Sequence, residues 1–409
     1  MDSVVAASAS DLHLRSQMVD VLQRHKVLRT PGFVEAMRRT PRHPFVPEAT
    51  AEQAHDPYHA VRLKSDAQGN TVSSASAPVV VAAMLEQLEV RPGDQVLEVG
   101  SVGYNAAVVA ELVGSSGQVT TVEIDREIAD RARRLLEAAG FGHVLVRCGD
   151  GRAGAPDRAP FDRIVITAGA FDIAEEWLAQ LAPGGRLVVP LRLPWPMSVA
   201  LERSGDHWVS RSVETCGFVP VTGPGARPVR RVSSSDGAVT LVLEDERAVD
   251  PGILDQALAV PREVVWTGVV VDDGPGWEDL HLRLMADSAV PGFTKINVTA
   301  GAAAKTLQPL LGWGGPGFQR GADLGYLANR RGLGGDGEPY EIAVVSHGPS
   351  GLGFAEEVAS RIRFWSAELR DRGRHRIEVY RAQGPASHVP GRVIAERSGH
   401  RITVVWSEH

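Results

Sequence analysis

Apolar residues near the amino terminus recur at helical spacing before the pattern becomes irregular. Met18 and Leu22 share one helical face, and Pro31 suits the first position of a second helix. Residues 40–73 then carry prolines, histidines and a glycine, which favour loops over regular elements. The pattern therefore predicts a short helical segment followed by an irregular stretch.

From residue 79 onwards, short apolar runs alternate with amphipathic stretches. Helices are expected at residues 79–88, 106–112, 128–139 and 174–181. Strands are expected at residues 95–99, 119–124, 143–147, 161–167 and 186–190. Strands that alternate with helices of this length predict an α/β fold with a Rossmann-like, doubly wound parallel sheet.

The composition changes again around residues 222–235, where glycine, proline, arginine and serine dominate. We interpret this stretch as a linker. It separates a first unit, residues 1–221, from a second α+β unit, residues 236–409. In the second unit, strands are expected at residues 239–243, 264–271, 342–345 and 402–406, and a helix at residues 354–369.

Composition and charge exclude several classes of protein. The formal net charge of -7 disfavours a nucleic-acid partner, because phosphate binding requires a basic surface. Cys148 and Cys216 are too few for a disulfide framework or a zinc knuckle, so no metal site is expected. Residues 1–17 lack the pattern of a signal peptide, and no apolar run reaches the roughly 18 residues of a membrane span. A cytoplasmic protein without a membrane partner is expected.

The turn after the first predicted strand is the first candidate for ligand binding. It contains Glu98, Gly100, Ser101, Gly103 and Asn105. Glycines between a strand and a helix allow a ligand to approach the backbone, and the helix start offers unpaired amide donors. An ordinary tight turn would have the same composition, so this feature indicates a site only together with others.

The next two strand ends add such features. Glu123, followed by Ile124, stands 23 positions after Gly100, where an acid can accept hydrogen bonds from ribose hydroxyls. Asp150 and Gly151 follow the third strand, and an acid there suits the adenine amino group. Taken alone, Glu123 could equally be an exposed acid at a strand end, and the segment around Asp150 is more often an ordinary turn. Their order at successive strand ends predicts a nucleotide cofactor, and the incomplete glycine motif disfavours a nicotinamide.

A set of ordered motifs supports this prediction. They occupy residues 44–47, 74–78, 96–100, 103–107, 122–125, 149–151, 159–162, 180–190 and 218–220. Residues 40–221 thereby resemble the protein-L-isoaspartate O-methyltransferases. The resemblance implies an S-adenosylmethionine cofactor, with Thr167 added to its site, and a carboxylate of a peptide or protein as methyl acceptor. It also implies that Ser74 and Ser76 are catalytic and lie beside that carboxylate, although serines before a helix are usually caps.

Three departures from the family pattern shape the expected function. The glycine turn is one residue shorter and contains Val102, Ser74 stands where threonine is common, and a further 188 residues follow residue 221. This architecture resembles the lanthipeptide-associated (FxLD-system) branch, which methylates an ordinary aspartate and leads through a succinimide to isoaspartate. Two alternatives are a repair methyltransferase for isoaspartyl proteins with an added domain and a non-catalytic protein that binds S-adenosylmethionine.

Overall fold

The computed structural model shows a mixed α/β protein. It describes residues 9–67, 69, 71–100, 102–224, 226–272, 276–290, 292–299, 307–311, 314–331, 339–370, 374–383 and 390–407. Helices α1–α10 lie at Ala9–Arg24, Pro31–Arg39, Ala51–His55, Pro78–Leu88, Tyr104–Val113, Arg126–Ala138, Glu175–Ala179, Pro251–Ala259, Gly276–Ala286 and Gly351–Phe364. Among the helices within these ranges, none is both long and apolar enough to cross a bilayer.

The strands fall into three sheets. Strands β1–β9 lie at Val61–Ser65, Thr71–Ala75, Gln95–Val99, Gln118–Glu123, Leu145–Cys148, Phe161–Ile166, Leu181–Leu191, Met197–Ser204 and His207–Thr215. Strands β10–β19 lie at Arg230–Ser233, Val239–Leu243, Glu263–Val271, Phe293–Val298, Gly314–Arg320, Asp323–Arg331, Tyr340–His347, Arg374–Arg381, Arg392–Glu396 and His400–Ser407. Strands β1 and β2 pair as a hairpin of their own.

The largest sheet confirms the predicted Rossmann-like fold. Its order is β5-β4-β3-β6-β7-β8-β9-β17-β19-β18, and the pairs among β3–β7 are parallel. Apolar side chains such as Val96, Leu97 and Ile164 are fully buried in these strands, as expected for a sheet covered on both faces. The chain reverses direction across the sheet between β3 and β6. A ligand in such a fold binds at the carboxyl ends of the strands beside this point.

The carboxy-terminal strands extend the same sheet, a result that differs from the predicted division of the chain. β17 pairs with β9, with Glu378 opposite Val209 and Val379 opposite Trp208. Strands β17–β19 therefore belong with the Rossmann-like sheet, although the sequence grouped them with residues 236–409. β10 begins at Arg230, inside the stretch interpreted as a linker. Pairing between strands so distant in sequence leaves no trace in local composition, which explains the difference.

Residues 230–347 form the second large sheet, which is antiparallel throughout. Its order is β10-β11-β13-β14-β15-β16-β12, and α10 packs on β12 and β16. The apolar core is continuous between the sheets, since Ile164 and Leu187 of the first share one cluster with Phe318 and Val344 of the second. The two sheets are therefore parts of one packed body.

Asp279 on α9 connects the elements around this shared core. Its carboxylate accepts hydrogen bonds from Trp365 Nε1 at 2.7 Å and Trp406 Nε1 at 2.8 Å, and it pairs with Arg283 at 3.3 Å. Burial raises the pKa of Asp279, but hydrogen bonds from His375 and the two tryptophans outweigh this and bring it to about 2. The native state therefore favours the charged form.

Replacing Asp279 with asparagine should lower stability in a pH-dependent way. Because its pKa is depressed on folding, the carboxylate stabilises the protein above its unfolded pKa, and the contribution fades as pH falls towards the folded value. Near neutral pH we expect Asp279→Asn to lower the free energy of unfolding by about 2 kcal/mol in urea titrations. The exposed Glu137→Gln variant is the control. A deficit that stays constant down to about pH 2 would contradict this account.

Candidate active site

A cleft of about 1110 Å³ opens at the carboxyl ends of β3 and β4. Val99, Gly100 and Glu123 line it from the sheet, and residues 217–222 cover it from the other side. This segment is held beside the residues that follow β6, because the Gly169 amide donates to the Val219 carbonyl at 2.8 Å and the Gly169 carbonyl accepts the Val221 amide at 3.0 Å. The site therefore lies beside the point between β3 and β6 where the strand order reverses, as expected for this fold.

The two described glycines of the first turn have different tasks. Gly100 has a φ of +87°, and a Cβ there would lie 3.0 Å from Thr167 Oγ1, whose hydroxyl donates to the Val99 carbonyl at 3.0 Å. Gly100 and Thr167 both line the cleft. Gly103, with a φ of +101°, instead faces Phe45, since a Cβ would approach its ring to 2.9 Å. Gly103 lies outside the cleft lining, and the cofactor contact predicted for it stays a prediction.

Glu98 stabilises the glycine turn through its hydrogen bonds. The side chain is fully buried, and its carboxylate accepts hydrogen bonds from Asn105 Nδ2 and Thr121 Oγ1, both at 2.7 Å. Asn105 in turn lines the cleft at the start of α5. Glu98 thus fixes the turn and Asn105 through its hydrogen bonds; it also lines the cleft, and the direct cofactor contact that the sequence suggested stays a prediction.

The next two strand ends also meet the cleft. Glu123 is half-buried, with Oε1 accepting the Asp125 amide at 2.9 Å, and the neighbouring Ile124 is 36% exposed. Gly151 lines the cleft because it packs closely on Val99, where a Cβ would lie 2.4 Å from Cγ1. Asp150 lies beside the cleft without lining it, and its Oδ1 accepts the Arg152 amide at 2.9 Å.

Ser74 and Ser76 reach the cleft from the segment around β2. Both line the cleft and are half-buried, at the end of β2 and just after it. The buried Arg42 fixes this segment, donating from Nη2 to the Ser76 carbonyl at 2.7 Å and from Nε to the Ala54 carbonyl at 2.8 Å. Burial lowers the pKa of the Arg42 guanidinium, whose carbon lies 4.9 Å from the centre of the Tyr104 ring.

An ion pair joins the β1–β2 hairpin to the turn that follows β4. Lys64 on β1 donates to Asp125, the residue that caps α6. The hydrogen bond with Asp125 raises the pKa of Lys64 and lowers that of Asp125. The hairpin falls in a stretch that the sequence predicted as loop, and neither the ion pair nor Arg42 was foreseen. The alternation of Val61, Arg62, Leu63 and Lys64 was the available indication of a strand.

Most predicted site residues thus meet in one place. The residues of the set that line the cleft are Ser74, Ser76, Glu98, Gly100, Asn105, Glu123, Ile124, Gly151 and Thr167. Ser101 lies outside the described residues. Within the described part of the chain, Cys148 and Cys216 are free thiols, and no three potential metal-binding side chains come together.

The donor set suits an adenosine cofactor with a charged tail. Glu123 offers carboxylate oxygens to ribose hydroxyls, and Ile124 offers an apolar surface to an adenine ring. Position 100 requires glycine, because any side chain would press on Thr167. The cleft is therefore lined at this point by bare backbone, which a ligand can approach. The amino end of α5 adds backbone donors for the carboxylate of the tail.

The family model for protein-L-isoaspartate(D-aspartate) O-methyltransferase matches residues 13–225. The chain belongs to this family. A protein-L-isoaspartate O-methyltransferase from Methanopyrus kandleri is 43% identical over 213 residues, which is 51% of this chain and 91% of the relative. Protein-L-isoaspartate O-methyltransferase 2 from Archaeoglobus fulgidus is 43% identical over 204 residues, 48% of this chain and 88% of the relative. The chain is therefore an S-adenosylmethionine-dependent carboxyl methyltransferase.

Solved structures of similar proteins were also found. A protein-L-isoaspartate O-methyltransferase aligns with 89% of this chain and 96% of its own, at 19% identity and a TM-score of 0.49. A putative one from Plasmodium falciparum, in complex with S-adenosyl-L-homocysteine, aligns with 51% of this chain and 98% of its own, at 16% identity and a TM-score of 0.45. The matched family region ends at residue 225, before the second sheet.

Proposed function

We propose that the methyltransferase esterifies an aspartyl side-chain carboxylate in a ribosomally made peptide of the lanthipeptide type. The observation that carries this proposal is that the second sheet contributes to the acceptor cleft. Arg231 on β10 and Lys295 on β13 line the same cleft as Ser74 and Ser76. Both cations lie beyond the family region, and the Methanopyrus relative covers only 51% of this chain. Added residues at the acceptor side favour a dedicated peptide substrate.

The chemistry requires positioning more than proton transfer. An aspartyl carboxylate, with a pKa of about 3.9, is already ionised near neutral pH and needs no general base. S-adenosylmethionine, when bound, supplies a methyl group made electrophilic by its sulfonium. Hydroxyls of Ser74 and Ser76 would donate hydrogen bonds that orient the acceptor carboxylate, while residues 217–222 shield the cleft from water.

The ester product is set up for a second reaction that needs no further enzyme group. The amide nitrogen of the following residue attacks the ester carbonyl, the nitrogen loses its proton and methanol leaves, which closes a five-membered succinimide. Well-oriented intramolecular reactions reach effective molarities of about 10⁵–10⁸ M, so the ring closes readily. Water then opens the succinimide to isoaspartate or aspartate. In peptide tailoring, this series of reactions would serve to install the isoaspartyl backbone.

Repair of isoaspartyl proteins is the second candidate. It is favoured by the 43% identity to relatives named protein-L-isoaspartate O-methyltransferase, which match the whole cofactor half of the chain. In repair, the acceptor is the α-carboxylate that an isoaspartyl linkage exposes. The two candidates share the cofactor and the reaction, and they differ in which carboxylate the cleft accepts.

A matched pair of peptides separates the candidates. We would measure kcat/KM for two peptides of one sequence, one with aspartate and one with isoaspartate, both as linear and as lanthionine-cyclised forms. The proposal predicts higher kcat/KM for the cyclised aspartyl peptide. An asparaginyl peptide, which lacks the carboxylate, is the control and should gain no methyl ester. A clear preference for isoaspartyl peptides regardless of cyclisation would instead support repair.

A further inference from the structure

Two cations of the second sheet stand on one face of it. Arg231 on β10 pairs with Val242 on β11, and Val242 pairs with Lys295 on β13. Residues directly opposite each other in neighbouring strands project to the same face, so Arg231 and Lys295 point the same way. With strands about 4.8 Å apart, their Cα atoms lie about 10 Å apart. This spacing allows two long side chains to converge on one anion.

The surroundings of this pair are rich in positive charge. Lys295 is largely desolvated, and burial together with the charge of Arg231 lowers its pKa. The nearby Glu244 acts in the opposite direction, but its carboxylate is held by Arg192 through contacts of 3.1 and 3.0 Å. Arg62 of the β1–β2 hairpin lines the same cleft and is exposed. The positive charge of these side chains in the lining would attract an anion into this part of the cleft.

The acids of the cleft lie elsewhere. Glu98 is buried under the glycine turn and holds Asn105 and Thr121, and Asp125 is paired with Lys64. Glu123 stands at the end of β4, on the side of the cofactor. Among the residues that line the cleft, the acids thus belong to the first sheet and the turns that follow its strands, whereas Arg231 and Lys295 belong to the second sheet.

We propose that Arg231 and Lys295 form a carboxylate-binding subsite, which holds an acidic side chain of the peptide substrate next to the residue that is methylated. This inference rests on the proposed function, since it assigns part of the specificity of that same cleft. The pair belongs to the second sheet, apart from the strand ends of β3 and β4 that suit the cofactor. Its ligand is therefore a group of the substrate, and not the carboxylate of the cofactor.

The test crosses enzyme variants with peptide variants. One aspartyl peptide carries glutamate beside the acceptor, and the other carries glutamine at that position. Arg231→Gln should raise KM for the acidic peptide about 5-fold, since one partly exposed ion pair is lost, and leave KM for the neutral peptide unchanged. Adding Lys295→Gln should raise the effect to about 10-fold or more while kcat changes little. Arg134→Gln, on the exposed side of α6, is the matched control.

Two further readouts make the outcome decisive. Binding of a fluorescent acidic peptide without cofactor should weaken with added salt in wild type and lose that dependence in the double variant. Arg231→Glu should prefer a lysine-flanked peptide, and it remains informative if the Lys295 variant fails to fold. Weaker cofactor binding by Arg231→Gln in calorimetry, or equal KM changes for both peptides, would overturn the subsite. Methylation of neither peptide by wild type would instead sink the proposed function.

Discussion

Replacing Glu123 with alanine should weaken S-adenosylmethionine binding about 10- to 100-fold in calorimetry, which corresponds to about 1–3 kcal/mol. Glu123 ends β4 within the cleft, and its carboxylate offers acceptor oxygens where a ribose would lie. Because Oε1 also accepts the Asp125 amide, the alanine variant leaves that amide without this partner. We therefore expect a small loss of thermal stability together with the loss in affinity.

The control for this variant separates binding from folding. Glu123→Gln keeps one acceptor oxygen and should recover part of the affinity. Glu137→Ala removes an exposed acid from α6 and should leave cofactor binding unchanged. Unchanged affinity in Glu123→Ala, with a normal unfolding transition, would remove this carboxylate from the cofactor site.

Removing the two serine hydroxyls should affect the methyl-transfer step itself. We expect Ser76→Ala to lower kcat about 10-fold and the Ser74→Ala/Ser76→Ala double variant about 100-fold, because the acceptor carboxylate loses its orientation. Cofactor affinity should stay normal, since both serines belong to the segment around β2, apart from the glycine turn and the end of β4. The measurement is single-turnover methylation of an aspartyl peptide with saturating cofactor.

Two further serine variants, Ser65→Ala and Ser74→Thr, serve as controls. Ser65→Ala lies on the same hairpin outside the cleft lining and should turn over normally. Ser74→Thr keeps a hydroxyl and should retain most of the rate. If the double variant methylates the peptide at the wild-type rate, the hydroxyls do not orient the acceptor and the carboxylate is held by other groups.

The cofactor half of this fold could be predicted from local sequence pattern. Strands β3, β4 and β5 are short and bounded by turns, so their ends, and with them Gly100, Glu123 and Gly151, could be located directly. The carboxyl ends of parallel strands meet at one edge, which explains why separate motifs gather in one cleft. The resemblance to a methyltransferase family then added Ser74 and Ser76.

The rest depends on contacts between distant parts of the chain. No local pattern shows that β17 pairs with β9, or that the register of β10, β11 and β13 aligns Arg231 with Lys295. Nor does a motif show that a Cβ at Gly103 would meet the ring of Phe45. The same holds for Glu98, whose hydrogen-bond partners Asn105 and Thr121 lie on different elements.

The position of the transferred methyl group tests the central claim most directly. The full chain would be incubated with methyl-labelled S-adenosylmethionine and an aspartyl peptide, and the products followed over time by tandem mass spectrometry. The account predicts one labelled methyl ester on the aspartyl carboxylate, followed by loss of labelled methanol as the succinimide forms. A label that stays on nitrogen or sulfur, or that never leaves as methanol, would contradict it.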